Sequence, residues 1–432
     1  MNKFKLLKGV CLVAATSMIP ISQAAIAEAT LTGWVNEGVT FYDDGVSSDA
    51  VQITDGGNTL GTRMIFAAST EAATGLTVGM EIALEPQSSG TVLGWGSLGV
   101  ADDDQFDSLG VLNNNVWVSG AWGKVTFGSQ SMPTDNIAVL EDPSLTLWSG
   151  ISPVFRGNGV AITGVTAVTA GGGLPDGTLN ADGSVNLTAV TATTPLWGDF
   201  LNCFTEPVLR GNLGIGLDCN GATRSGVRYD LPAFGPVTIA IVYANDDVYD
   251  IAAKWKGSLG RMKASVALGY AINQGVNALH YKEAENFQIQ AGLMDPETGL
   301  FGSIAYQNED ADLTPAATLI GNVTDDSDAW WLKVGIKKQW FDVGDTSLSF
   351  DFGQYEDEYG LNEAVLGVSG SEIERIGVAL DQYFGSSLII YGKWEQLDLD
   401  VDCTAALAAT CVPAYGGANE LDTFTLGAVY FF

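Results

Sequence analysis

The sequence predicts an all-β chain, a transmembrane antiparallel β-barrel of about 16 strands with a long third loop. Three observations predict it. The last eleven residues alternate apolar and small or polar side chains up to a terminal aromatic, sixteen segments of this kind recur along the chain, and their connections are alternately tight and long. In the final segment Phe424, Leu426, Ala428, Tyr430 and Phe432 share one face, and Thr423, Thr425 and Gly427 the other. A buried parallel strand would be apolar on both faces, and an exposed edge this apolar would aggregate. A lipid-facing wall accommodates both facts.

The chain starts with a different signal. Lys3, Lys5 and Lys8 precede an apolar run from Gly9 to Ile21, and Ala25-Ile26-Ala27 offers small residues for cleavage, so residues 1–27 read as a secretory signal peptide. Cys11 lies inside that run and leaves with it. The mature region, 28–432, is then one barrel domain. No later stretch approaches the roughly 20 consecutive apolar residues of a membrane helix. Mean hydropathy is +0.17, and 53 glycines favour a chain of strands and turns.

The alternating segments fall at 30–42, 62–70, 76–86, 114–121, 124–130, 223–231, 236–243, 249–257, 261–270, 285–294, 300–307, 329–339, 346–355, 372–381, 386–397 and 422–432. Tight connections such as Trp122-Gly123 and Ser258 to Gly260 alternate with long acidic ones such as 87–113, 307–328 and 398–421. The pattern is cleanest in two places. Met262, Ala264, Val266, Leu268 and Tyr270 oppose Arg261, Lys263, Ser265, Ala267 and Gly269, and Leu76, Val78, Met80, Ile82 and Leu84 oppose Thr77, Gly79, Glu81, Ala83 and Glu85. Trp255, Tyr306, Trp330, Trp340, Trp394 and Tyr430 stand near segment ends, where interfacial girdles or ordinary strand propensity both place aromatics.

Charge is unevenly distributed. With Lys3, Lys5 and Lys8 removed from the 19 basic residues, 51 acids face 16 cations and the net charge moves from −32 to about −35. This excludes nucleic acid as a partner. All but three of those cations lie in the strand segments, while most acids lie between them. Lys124, Arg228, Lys254, Lys256, Arg261, Lys263, Lys333, Lys337, Arg375 and Lys393 fall on the parity opposite the apolar faces, as does Glu81. A barrel holding them inside needs a wet lumen, because a dry core could not solvate them.

Four cysteines remain after export, Cys203, Cys219, Cys403 and Cys411, in two close pairs. Two disulfides within pairs and a zinc site are the readings; a single histidine and no CxxC motif favour disulfides. That histidine, His280, has no nucleophile in a recognisable setting, and Gly171-Gly172-Gly173 lacks the Lys-Ser/Thr of a phosphate loop, so no enzyme is expected. No cofactor is required. Asp102, Asp103 and Asp104, and Asp325, Asp326 and Asp328, are candidate Ca²⁺ ligands; a solvated acidic face is the alternative.

Four segments resemble the general Gram-negative porins, sixteen-stranded barrels that usually form trimers. They are Gly61-Thr62-Arg63-Met64-Ile65-Phe66 with Leu76 to Glu85, then Ala121-Trp122-Gly123-Lys124-Val125-Thr126-Phe127-Gly128-Ser129-Gln130 followed by Pro133-Thr134-Asp135-Asn136, then Arg224-Ser225-Gly226-Val227-Arg228-Tyr229-Asp230-Leu231-Pro232, and the C-terminal strand. The resemblance implies an outer-membrane homotrimer among lipid and lipopolysaccharide, passing small hydrophilic solutes and ions. It also implies that the long third loop folds into the lumen, where its Asp135, Glu141 and Asp142 face the wall cations Arg63, Lys124 and Arg228 at a constriction; with those charges roughly balanced, the unopposed loop acids at the mouth predict weak cation selectivity that fades as salt rises. Two departures stand out. Family members often carry arginine where this chain has Ser129, and the insert 131–222 exceeds a plain constriction loop, its Gly/Thr-rich part 159–196 forming an extra hairpin or lid. A substrate-specific channel, with Trp148, Phe155 and Trp197 as a sugar slide, and an adhesive barrel with Ca²⁺-binding loops are the alternatives.

Overall fold

The computed structural model describes residues 28–432 apart from 46–49, 55–59, 73–74, 89–105, 152–161, 163–173, 180–184, 189–196, 202, 204–216, 220–222, 275–280, 321–322, 360–362, 365–366, 406–407 and 416–419. The signal segment, Asp102 to Asp104, Phe155 and His280 therefore lie outside the described residues.

Sixteen strands form the wall. They are β1 Glu28–Asp43, β2 Arg63–Glu71, β3 Thr77–Ser88, β4 Phe106–Gly120, β5 Gly123–Ser131, β6 Thr223–Asp230, β7 Val237–Ala244, β8 Val248–Leu259, β9 Met262–Asn273, β10 Tyr281–Met294, β11 Leu300–Leu313, β12 Asp326–Phe341, β13 Gly344–Glu356, β14 Val368–Phe384, β15 Leu388–Cys403 and β16 Glu420–Phe431. Each pairs antiparallel with the next. The ring closes where β16 meets β1, from Trp34 opposite Phe431 to Asp43 opposite Asp422. Closure leaves no edge, which satisfies every wall backbone group without water.

The lower half of β1 pairs with β2, whereas Gly38 to Tyr42 pair with an extra short strand, Ala50–Thr54. That five-residue strand is too short to stand out in the sequence. A hairpin of Leu174–Leu179 and Val185–Thr188 lies inside 159–196, as expected. Helix is confined, among the described residues, to α1 Pro315–Ile320, α2 Ala408–Tyr415 and isolated turns.

Alternation sorts the side chains. Leu268, Phe287, Ile304, Leu332, Phe350, Val378, Ile390 and Leu426 are exposed on the outer face, while Ser265, Gln290, Ser303, Lys333, Asp351, Arg375, Lys393 and Thr425 on the same strands are buried on the inner one. The outer apolar band has aromatic borders. Phe41 and Phe424 pack at 6.4 Å and Trp330 and Phe352 at 5.2 Å on one rim, and Trp122 stacks on Tyr229 at 6.4 Å on the other.

Above the first rim the strands continue further than the sequence suggests, with the pattern inverted. Glu285 stands opposite Asp310, Asp310 opposite Asp326, Asp328 opposite Glu356, Glu356 opposite Glu372, Glu372 opposite Asp400, and Asp398 opposite Glu420. These acids form an outward collar. Trp394 donates to Asp422 at 3.1 Å, and Tyr306 donates to Asp328, so the aromatic rim and the collar are joined. On the inner side of the same strands Ala329, Trp331, Tyr355, Ile373, Leu397, Leu399 and Leu421 form an apolar core with Ala138, Val139, Ile151, Trp197, Phe200 and Leu217 of the insert.

Candidate functional site

The insert leaves β5 at Ser131 and lies against inner-face residues of the wall as far as Ile151. Its first contacts are with β8. Thr134 donates its N–H and hydroxyl to Asp250, the hydroxyl at 2.6 Å. Asn136 N–H donates to Asp218, near the far end of the same insert, at 2.9 Å. Two glycines mark the path. A Cβ on Gly269 would stand 2.7 Å from Thr134 Cγ2, and one on Gly292 would stand 2.4 Å from Pro143 Cδ, so only glycine lets the strap this close to β9 and β10.

The strap acids meet the wall next. Glu141 pairs with Lys254 at 2.9 Å and Lys256 at 2.8 Å, and its N–H donates to Gln290. Asp142 pairs with Lys333 at 2.5 Å. Lys333 also donates to Thr146 O at 3.1 Å, Thr146 Oγ1 at 3.0 Å and Gly150 O at 2.8 Å. Beyond it, Arg375 donates to Ile151 O at 2.9 Å and pairs with Asp351 and Glu395, while Lys393 pairs with Asp351. Lys337 donates to Ser144 O and lies 3.8 Å over the Tyr383 ring.

The residues expected at the constriction are paired as follows. Arg63, Lys124 and Arg228 are held by wall carboxylates: Arg63 by Glu85 at 3.5 Å, Lys124 and Arg228 by Asp230 at 3.7 and 2.8 Å. The strap acids Glu141 and Asp142 pair with Lys254, Lys256 and Lys333, because that part of the strap runs along β8 to β12 before Trp148 reaches β1 and β16. Asp135 takes hydrogen bonds from Ser131 and Asn136 and feels Arg63, Lys254 and Arg228 only as nearby charges.

Burial pushes the Asp135 carboxyl up to about 6, an effect only partly offset by Ser131 and those cations. Asp218 is raised well above the usual carboxylate range by burial and by the Asp135 charge. Glu141 and Asp142 go the other way. Burial would raise both, but Lys254 and Lys256 on the first, and Lys333 on the second, hold them below their ordinary values.

Other expected residues fall as follows. Arg261 lies in the turn before β9, 60% exposed, paired with Asp295 and Glu297 of the next turn. Glu81 accepts from Asn113 at 2.7 Å, and Lys263 is exposed on the inner parity of β9. Ser129 lies on the outer parity of β5, so its lack of charge takes nothing from the lumen. Trp148 packs on Trp34 and Phe431 at 5.5 and 5.3 Å, and Trp197 is buried in the apolar core, so neither presents a face to a passing sugar. Glu85 falls on the inner parity expected of it, whereas the inward acids Asp230, Asp250, Asp351 and Glu395 escaped the sequence reading. Their parity within otherwise apolar strands was the signal.

Cys203 is disulfide-bonded to Cys219 and Cys403 to Cys411, with Cα atoms 5.2 and 5.7 Å apart. Among the described residues, Cys203, Cys219 and Glu309 make the one group whose ligand atoms lie close enough to share a metal ion, and the disulfide occupies both sulfurs. Asp326 accepts from Asn308, and Asp326 and Asp328 both stand on the outward collar.

The Gram-negative porin family model matches residues 12–402. The chain belongs to the Gram-negative porin family. Solved structures share the fold of this porin at low identity. An anion-selective porin from Comamonas acidovorans is 15% identical with a TM-score of 0.53, covering 94% of this chain and 100% of that one. The outer membrane channel DcaP of Acinetobacter baumannii is 11% identical with a TM-score of 0.52, covering 95% and 99%. A loop-deletion mutant of OmpT, an outer membrane protein of Vibrio cholerae, is 12% identical with a TM-score of 0.52, covering 94% and 99%. No curated protein matches the sequence. The porin is an outer-membrane channel protein, and its fold points to transport rather than catalysis.

Proposed function

We propose that this porin passes small hydrophilic solutes and ions by diffusion through a water-filled lumen, without a covalent step or a required cofactor. The observation that carries the reading is the exposure of charged groups on the inner face. Lys124 keeps 44% and Lys256 66% of side-chain surface accessible there, and neither could remain charged in a packed, dry interior. The strap 132–151, fixed along β8 to β14 and through Trp148 against β1 and β16, narrows the bore, and the apolar core of the insert closes part of the section above it. A homotrimer in lipopolysaccharide is the assembly that fits the family. The outward acidic collar suits divalent cations, Ca²⁺ included, bridging it to anionic headgroups, and it carries the Asp326 and Asp328 candidates.

Liposome swelling tests the reading. Uptake should fall smoothly with solute size and show no saturation; saturation by one solute would favour a substrate-specific channel, and no uptake of any solute would favour an adhesive barrel.

A further inference from the structure

We propose that the lumen prefers small oxyanions, carboxylate or phosphate, to cations, against the sign of the whole chain. The inference rests on the channel reading above and names its solute class.

Two stations on β5 to β8 carry it. At the first, Lys124 and Arg228 share the single carboxylate of Asp230; at the second, Lys254 and Lys256 share that of Glu141. Two cations on one acid leave each station with a positive charge to spare. In each the most exposed group is a lysine. Side-chain exposure is 44% for Lys124 against 25% for Asp230, and 66% for Lys256 and 32% for Lys254 against 5% for Glu141. Water and solute thus meet ammonium groups, while the carboxylates stay recessed behind them.

The stations are neighbours. Asp230 stands opposite Ala240, Ala240 opposite Ala252, and Lys254 follows two residues along β8. Two strand spacings and two residues along β8 put them roughly 12 Å apart, so an ion leaving one meets the other within little more than a screening length. Lys263 adds an exposed ammonium on β9.

The other acids beside the stations, Asp135 and Asp250, are engaged by hydrogen bonds from Ser131 and Asn136 and from Thr134. Arg63 is matched by Glu85, and Asp142 by Lys333. The collar acids face outward on the far side of the wall, where a screening length of about 8 Å at physiological salt limits their reach into the lumen. Ammonium and guanidinium donors in such pairs bind oxyanions with charge-assisted hydrogen bonds.

The test is the reversal potential across a KCl gradient in planar bilayers, followed by replacement of chloride with acetate or inorganic phosphate. Wild type should show chloride permeability above potassium and should carry both oxyanions; the two replacements show which of them it prefers. Lys256→Gln together with Lys124→Gln should lower the anion-to-cation ratio by roughly twofold or more. Lys338→Gln, which removes one lysine charge from the outer face of β12, should leave it unchanged. A conducting wild type that prefers potassium overturns the inference and leaves the channel reading intact, as does a Lys338→Gln shift equal to that of the lumen pair. A protein giving no current overturns both. The wild-type potential decides even if the double variant fails to assemble.

Discussion

Lys333 of β12 and Asp142 of the strap form an ion pair in which neither side chain has any exposed surface. The lysine's three remaining contacts are strap oxygens, so one wall residue fixes Asp142, Thr146 and Gly150 together.

Removing that lysine should free the strap. Lys333→Met leaves Asp142 buried with its bonds from Ser144 and Thr146 but without a cation, a loss of about 3–5 kcal/mol for the strap's docking. The barrel itself, closed by backbone pairing, should keep its heat stability. We expect noisier single-channel current with excursions to larger conductance, and Lys333→Met with Asp142→Leu should quieten it, because two apolar groups leave no orphan charge. A quiet Lys333→Met channel of unchanged conductance would show that the strap is held elsewhere.

Docking should depend on pH with two opposite slopes. Asp135 is raised from 3.8 to about 6 and Asp218 is raised well above its ordinary value, so the docked strap binds more protons than the released one. Their contribution is greatest at low pH and declines as pH climbs through that window. Glu141 and Asp142 are lowered, so their contribution is present at neutral pH and lost as pH falls through their folded values. Current noise should therefore reach a minimum at mildly acidic pH. Asp135→Asn should remove the rise in noise between about pH 4 and 6; a variant that keeps the full rise would assign it to another group.

Reduction should loosen the insert and spare the wall. The Cys203–Cys219 bridge spans 16 residues and its end packs on β11, where Gln307 donates to Cys219 Sγ. Closing a loop of that length stabilises by about 3 kcal/mol in the chain-entropy account. Dithiothreitol should raise proteolysis within 204–216 while the barrel remains intact on gels. Free thiols in the unreduced protein, or a link between Cys203 and Cys403, would contradict the pairing.

Chelation should weaken the assembled protein in lipopolysaccharide. Like charges directly opposite across strands, as at Glu356 and Glu372, destabilise unless a cation lies between them. EDTA should lower the thermal midpoint, and Mg²⁺ or Ca²⁺ should restore it, whereas high monovalent salt should restore only part. A midpoint indifferent to divalent ions would leave the collar as a hydrated surface.

The wall was legible because lipid outside and water inside impose a period of two, as between Met262 and Tyr270. The strand ends were not. From Asp398 to Asp402 the alternation persists, but Leu399 faces an apolar core and the acids face out, so the segment reads as an acidic loop. The strap acids were found by resemblance, yet their partners were not, since which of the inward cations a loop reaches depends on its path. Gly269 and Gly292 record that path, and their meaning appears only once the strap lies on them.

Planar-bilayer recording of the purified wild-type protein tests the central claim most directly. The account predicts discrete, long-lived current steps, ohmic at low voltage, whose size grows nearly in proportion to salt concentration as in a water-filled pore. A folded barrel that inserts and yields no steps, or steps that saturate at low salt, would contradict it.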